Sequence, residues 1–227
     1  MDIRHYYIEQ GEGEPLILLH GNGESCDYFQ HQMEAFGRHC HVYAMDTRGH
    51  GRTPRGTAPF TFRQLSEDLL AFMDRLGLKK AHILGFSDGG NIALRFAITH
   101  PERVDKLIVD GANLTPQGIK RGTLRLIRLE YAFWKRLAPL SSAARRKEEL
   151  FGIMVHEPDM TARELSRIQA KTLVIAGTED LIRESHTRRI AWGIPNSRLC
   201  LLPGDHAVAA KNPEAFNRVV LDFLAER

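Results

Sequence analysis

Apolar residues along this chain gather into short unbroken runs separated by longer stretches with helical spacing. The runs are Leu16-Ile17-Leu18-Leu19, Val42-Tyr43-Ala44-Met45, Ala81-His82-Ile83-Leu84, Leu107-Ile108-Val109, Thr172-Leu173-Val174-Ile175-Ala176 and Leu199-Cys200-Leu201-Leu202. A strand presents alternate residues to opposite faces, so a run without alternation needs cover on both faces. Between the runs, residues 62–76 place Leu65, Leu69, Phe72, Met73 and Leu76 on one helical face. Residues 212–225 do the same with Phe216, Val219, Val220, Phe223 and Leu224. Strand, helix and strand in succession imply right-handed crossovers. The fold class expected is α/β, a mostly parallel sheet of about seven strands with helices on both faces.

The alternation breaks over residues 113–165, where the pattern is helical with no strand. Leu126, Leu129, Phe133 and Leu137 share a face, with Ile127, Tyr131 and Trp134 beside it. Lys120, Arg121, Arg125, Arg128, Lys135 and Arg136 supply the polar side. This predicts a core of residues 1–112 and 166–227 with a helical insertion over the sheet. The insertion's stripe, with Phe133 and Trp134, is expected to face the site as an apolar wall.

Composition narrows the function. The chain has 227 residues, 43% hydrophobic and 26% charged, with a net charge of +3, which suits one α/β domain and gives no basic groove for nucleic acid. Cys26, Cys40 and Cys200 form neither a CxxC nor a Cys/His metal spacing. No apolar run is long enough to span a bilayer and no signal-peptide pattern opens the chain, so a cytoplasmic protein without metal or cofactor is expected. Gly11-Glu12-Gly13-Glu14 is too short and acidic to cradle a phosphate, and Gly21-Asn22-Gly23 lacks the third glycine of a dinucleotide fingerprint.

Ligands of an open parallel sheet bind beyond the carboxyl ends of its strands. The residues following the runs are His20 to Gly23, Asp46, Ser87, Asp110, Asp180 and His206. Among them, Gly85-Phe86-Ser87-Asp88-Gly89 fits a GxSxG turn, whose glycines relieve crowding where the chain projects a serine. A serine there could also be only a helix N-cap. A serine hydroxyl is a weak nucleophile and needs a base, a group that orients the base, and donors for the oxyanion. The order Ser87, Asp180, His206 offers serine, acid and base, each on a loop after a buried run.

Taken with His20-Gly21-Asn22-Gly23, Asp46-Thr47-Arg48-Gly49-His50-Gly51-Arg52-Thr53, Gly177-Thr178-Glu179-Asp180 and Pro203-Gly204-Asp205-His206, the chain resembles the α/β-hydrolase fold over nearly its whole length. The resemblance implies Ser87 as nucleophile, His206 as general base and Asp180 as its orienting acid. It implies backbone N–H groups of Asn22 and Asp88 as the oxyanion hole, and residues 113–165 as a short lid. Glu179 or Asp110 is the alternative acid. Because few residues precede Leu16, the fold's usual first antiparallel strand is expected to be missing. The elbow has Ser and not Asp, which argues against the carboxylate-nucleophile dehalogenases and epoxide hydrolases of the fold.

The reaction expected is cleavage of small carboxylic esters through an acyl-enzyme on Ser87. C–C bond hydrolysis or perhydrolysis on the same triad, and a catalytically weak ligand-binding role, are the alternatives. Asp88 reads either as a helix-start residue favoured by the macrodipole or as an anion selecting amine-bearing substrates, the latter because the Gly-Phe-Ser-Asp-Gly-Gly elbow resembles the biphenyl-hydrolase-like branch. Phe133 and Trp134 complete the expected substrate wall.

Overall fold

The computed structural model describes residues 2–226. The strands are β1 (Tyr7–Gln10), β2 (Pro15–Leu19), β3 (His41–Met45), β4 (Ala81–Phe86), β5 (Val104–Asp110), β6 (Lys171–Gly177) and β7 (Ser197–Leu202). They form a 7-stranded sheet in the order β1-β3-β2-β4-β5-β6-β7. Every pairing is parallel except that of β1 with β3. The α/β class read from the apolar runs is the class observed.

The helices are α1 (Gln30–Gly37), α2 (Phe62–Arg75), α3 (Asp88–Thr99), α4 (Arg121–Leu137), α5 (Ser142–His156), α6 (Ala162–Leu165), α7 (Glu184–Gly193), α8 (Val208–Lys211) and α9 (Pro213–Ala225). Consecutive strand residues separate into two cores. Ile17, Leu19, Ile83, Leu107 and Val109 pack under Phe62, Leu69 and Phe72 of α2 and Ile92 and Phe96 of α3. Leu16, Leu18, Leu84 and Ile108 pack on the other face under Phe36 of α1 and Phe216, Val220 and Phe223 of α9. This is the physical reason the runs are continuous: neither face meets water. Truncating a fully buried side chain such as Phe72 would cost about 3–5 kcal/mol. The start of α2 is set locally, because the Thr61 hydroxyl accepts the Gln64 N–H.

Two expectations need correction. An antiparallel strand does precede Leu16: β1 pairs with β3 from Tyr7 opposite Met45 to Gln10 opposite Val42. It escaped the pattern because it is a half-exposed edge strand of four residues, with no apolar run to mark it. The second correction concerns α4. The stripe expected to face inward points to solvent, with Leu126, Leu129 and Phe133 exposed at 64%, 59% and 54%. Leu124 is buried instead, in a small cluster with Ile119 and Ile182, against which Ile127 packs. The helix is apolar on two faces, and spacing alone does not say which one meets the protein.

The helices of residues 113–165 are tied to the rest of the chain at several points: Glu164 of α6 pairs with Arg95 of α3 at 3.0 Å, and α5 adds two further links. Arg55 makes a two-pronged pair with Glu149, at 2.7 and 2.8 Å, and the Leu150 carbonyl accepts a hydrogen bond from the Asn22 side chain at 2.9 Å.

Candidate active site

β4 delivers Ser87 into a strained turn before α3. Its φ and ψ are 54° and −118°, and it is the one non-glycine with positive φ among the described residues. The neighbouring glycines explain how the turn closes. A Cβ on Gly85 would lie 2.2 Å from the Gly89 carbonyl oxygen, and one on Gly89 would lie 2.0 Å from that of Leu19. The Ser87 side chain makes no capping bond to α3, so its helix-cap reading fails. Its hydroxyl is directed to His206 Nε2 at 2.9 Å.

His206 follows β7, and its Nδ1 lies 2.7 Å from Asp180 Oδ1. The Ile182 N–H also donates to that oxygen at 2.7 Å, which holds the carboxylate in place. With Nδ1–H directed to a carboxylate, Nε2 is left as the acceptor for the serine proton. Gly111 makes room for the imidazole, since a Cβ there would come within 2.8 Å of His206 Cε1. Residues 87, 180 and 206 are thus joined in one relay by loops after three different strands.

The alternative acids stand elsewhere. Glu179 is exposed. Asp110 is fully buried, and neither carboxyl oxygen has a hydrogen-bond partner among the described residues. Burial, and then the charge of Asp180, push its pKa well above the usual carboxylate range, which favours the protonated form of Asp110.

Asn22 and Asp88 line the same cavity as Ser87 and His206. The backbone N–H of neither has an acceptor among the described residues. That of Asp88 is one of the donors left free at a helix start. The Asn22 side chain donates to Asp88 Oδ2 at 2.8 Å, which locks the loop after β2 to the turn after β4. Behind the loop, His20 Nδ1 donates to the Gly21 carbonyl at 2.7 Å, and its Nε2 accepts the Thr47 N–H at 3.1 Å. Burial lowers the His20 pKa, so it acts as a neutral strut. Asp46 accepts the N–H groups of Cys26 and Arg52 at 2.6 and 2.7 Å, which is a turn-holding role.

The cavity encloses about 250 Å³. Its apolar wall comes from Ile119, Ile127, Met154 and Leu181. Phe133 and Trp134, expected as that wall, do not line it: Phe133 is on the outward face of α4, and the Trp134 indole donates to Glu130 at 2.9 Å. Sequence reasoning also missed two acidic residues. Glu24 and Glu157 line the cavity together with Asp88, and no lysine or arginine does. Burial raises the pKa of all three, that of Asp88 to about 6, against the lowering effect of hydrogen bonds from Asn22 and Asn91. Glu24 lies four residues after His20 and could have been flagged from the loop. Glu157 comes from the end of α5 and carried no such signal.

Among the described residues, the group that could hold a metal is Glu14, His82 and Asp105. His82 Nε2 is 3.1 Å from Glu14, and Nδ1 is 3.4 Å from Asp105, whose other oxygen pairs with Lys80. The two ring nitrogens point to different carboxylates, which is the geometry of a charge cluster. It lies at the start of β4, about 16 Å along the strand from Ser87.

Comparison with known proteins agrees with this fold. The profile of the alpha/beta hydrolase fold family matches residues 14–138. The protein named "Putative carbamate hydrolase RutD" of Caulobacter sp. (strain K31) is 32% identical, over 93% of this chain and 91% of its own length. The meta-cleavage product hydrolase CumD of Pseudomonas fluorescens IP01 superposes with a TM-score of 0.80 at 25% identity, over 98% of this chain and 94% of its own. The enol-lactonase of Burkholderia xenovorans LB400 gives 0.81 at 24% identity, over 98% and 96%, a likeness of fold.

Proposed function

The chain belongs to the α/β-hydrolase-fold family, and on that premise we propose that this hydrolase cleaves small esters or carbamates through an acyl-enzyme on Ser87. The observation that carries the reading is the relay of 2.9 and 2.7 Å from Ser87 through His206 to Asp180, opening into a cavity.

In this reading Ser87 Oγ attacks the carbonyl carbon while His206 Nε2 takes its proton. Asp180 keeps Nδ1 protonated and stabilises the imidazolium. The oxyanion is received by the backbone N–H groups of Asn22 and Asp88, where a single oxyanion donor contributes about 100- to 1,000-fold in rate. His206 then returns the proton to the leaving oxygen or nitrogen, and a water repeats the sequence to release the acid or carbamic acid. Residues 113–165 serve as the lid, closing the cavity with Ile127 of α4 and Met154 of α5.

Three carboxylates and no cationic side chain around the cavity favour neutral or N–H-bearing substrates and oppose carboxylate-bearing ones. A carbamate, whose amide nitrogen can donate to Asp88 or Glu157, fits that wall as well as an amino-acid ester does. C–C cleavage and perhydrolysis run through the same relay and are the rivals. The test is labelling by a fluorophosphonate probe, followed by turnover of matched nitrophenyl esters and carbamates. Labelling of the wild type and its loss in Ser87→Ala, with an unchanged melting curve, is expected. Retained turnover in Ser87→Ala overturns the reading.

A further inference from the structure

The outward face of α4 combines three properties that the cavity chemistry does not use. It is apolar, with Leu126, Leu129 and Phe133 exposed at 64%, 59% and 54%, continued past the helix end by Leu140 at 78%. It is bordered by cations. At about 100° per residue, Arg121, Arg125 and Arg136 run along one side of the stripe, and Glu130 stands on the other. All three arginines are exposed, and none is in an ion pair among the described residues. It also adjoins the cavity, because Thr123 and Ile127 on the opposite side of the same helix form part of the cavity wall.

An exposed apolar row rarely stands on a soluble surface without a partner. A helix with a large apolar face and a basic border is suited to lie in the plane of a membrane surface. We propose that α4 is a docking helix for an anionic lipid surface. Its leucines and phenylalanine enter the boundary between headgroups and acyl chains, and Arg121, Arg125 and Arg136 meet the lipid phosphates. The helix lies on the bilayer and does not cross it: no helix among the described residues is long and apolar enough to span a membrane. Docking in this orientation sets the cavity beside the lipid.

Charge selects lipid over a second copy of the chain. In an antiparallel two-fold pairing of α4 with itself, the arginine border faces the same border of the partner. In a parallel pairing, one Glu130 per chain faces three arginines.

The test is cosedimentation of the full chain with vesicles of phosphatidylcholine, with or without about 30 mol % phosphatidylglycerol, at low salt. Binding to the anionic vesicles is expected, at least about tenfold tighter than to neutral ones, and weakened by about 0.5 M salt. Leu126→Gln with Leu129→Gln should reduce it by about tenfold or more, and Arg125→Gln or Arg136→Gln by about fivefold each. Both sets lie on the surface and should leave the circular-dichroism melting curve unchanged. Equal binding to both vesicles, no binding, or unaltered binding by the leucine double variant overturns the proposal. So does a dimer at micromolar concentration that the leucine double variant dissociates, since that result assigns the stripe to a second copy.

Discussion

Asp110→Asn tests the division of labour between two neighbouring acids. Asp110 ends β5 directly behind the reactive turn, where its carbonyl accepts the Ser87 N–H at 2.7 Å. Its carboxyl group is fully buried without a hydrogen-bond partner among the described residues, and burial and the Asp180 charge raise its pKa well above the ordinary value. The folded protein therefore holds a proton on Asp110 that the unfolded chain gives up once pH passes about 4. Folding then takes up one proton, and stability falls by about 1.4 kcal/mol for each pH unit of rise. The loss begins at the unfolded pKa and ends where Asp110 ionises within the fold. Asparagine is neutral throughout and close in shape to the protonated acid, so the variant lacks this slope. The difference in unfolding free energy between Asp110→Asn and wild type should widen in the variant's favour by about 1.4 kcal/mol per pH unit above pH ~4.5. Urea unfolding at a series of pH values measures it, with an unchanged denaturant slope as the control. Ester turnover should stay within about threefold of wild type, whereas Asp180→Asn should lose roughly 1,000- to 10,000-fold. A pH-independent difference would mean that Asp110 is ionised in the fold. A loss of turnover as deep as that of Asp180→Asn would move the orienting acid to β5. Either result refutes the assignment.

Gly89→Ala drives a Cβ to 2.0 Å from the Leu19 carbonyl oxygen and should destabilise the fold by more than about 4 kcal/mol, read as insolubility or a collapsed denaturation midpoint. Asp88→Asn should lower kcat/KM for an amino-acid ester more than for a neutral ester of equal size, by about 1–3 kcal/mol in activation free energy. Because the Asp88 pKa is raised to about 6, the wild-type preference should itself fade as pH drops below that value; equal losses on both esters would leave Asp88 a helix-start residue. Asn22→Ala removes the bonds to Asp88 and Leu150 and should cut kcat by about 10- to 100-fold through a loosened oxyanion loop. Unaltered kcat would show that the backbone holds that loop without the side chain.

Local features of the chain were sufficient for the six strands after β1 and for the turn that carries Ser87. The unbroken runs around Leu16–Leu19 and Ile83–Leu84 required cover on both faces, and the two packed cores supply it. The glycines at 85 and 89 required a turn that no Cβ could enter. These are short-range constraints, written within a few residues by strand alternation, helical spacing and backbone sterics. Questions of distant neighbours were settled only by packing. Asp110, Glu179 and Asp180 all lie at or just after the carboxyl ends of strands, yet one has His206 within 2.7 Å, one is buried with no hydrogen-bond partner for its carboxyl oxygens among the described residues and one is in solvent. Nothing local distinguishes them, because the distinction depends on where the loop after β7 falls back across β5 and β6. The two faces of α4 pose the same problem, since spacing reports that both are apolar and only the contacts with Ile119 and Ile182 choose the inward one. Edge strand β1 is too short and too exposed for a hydrophobic signal and exists because β3 offers it hydrogen bonds. The acidic wall of the cavity joins Glu24, Asp88 and Glu157 from three separate segments, and its electrostatic character arises only when the fold removes them together from water.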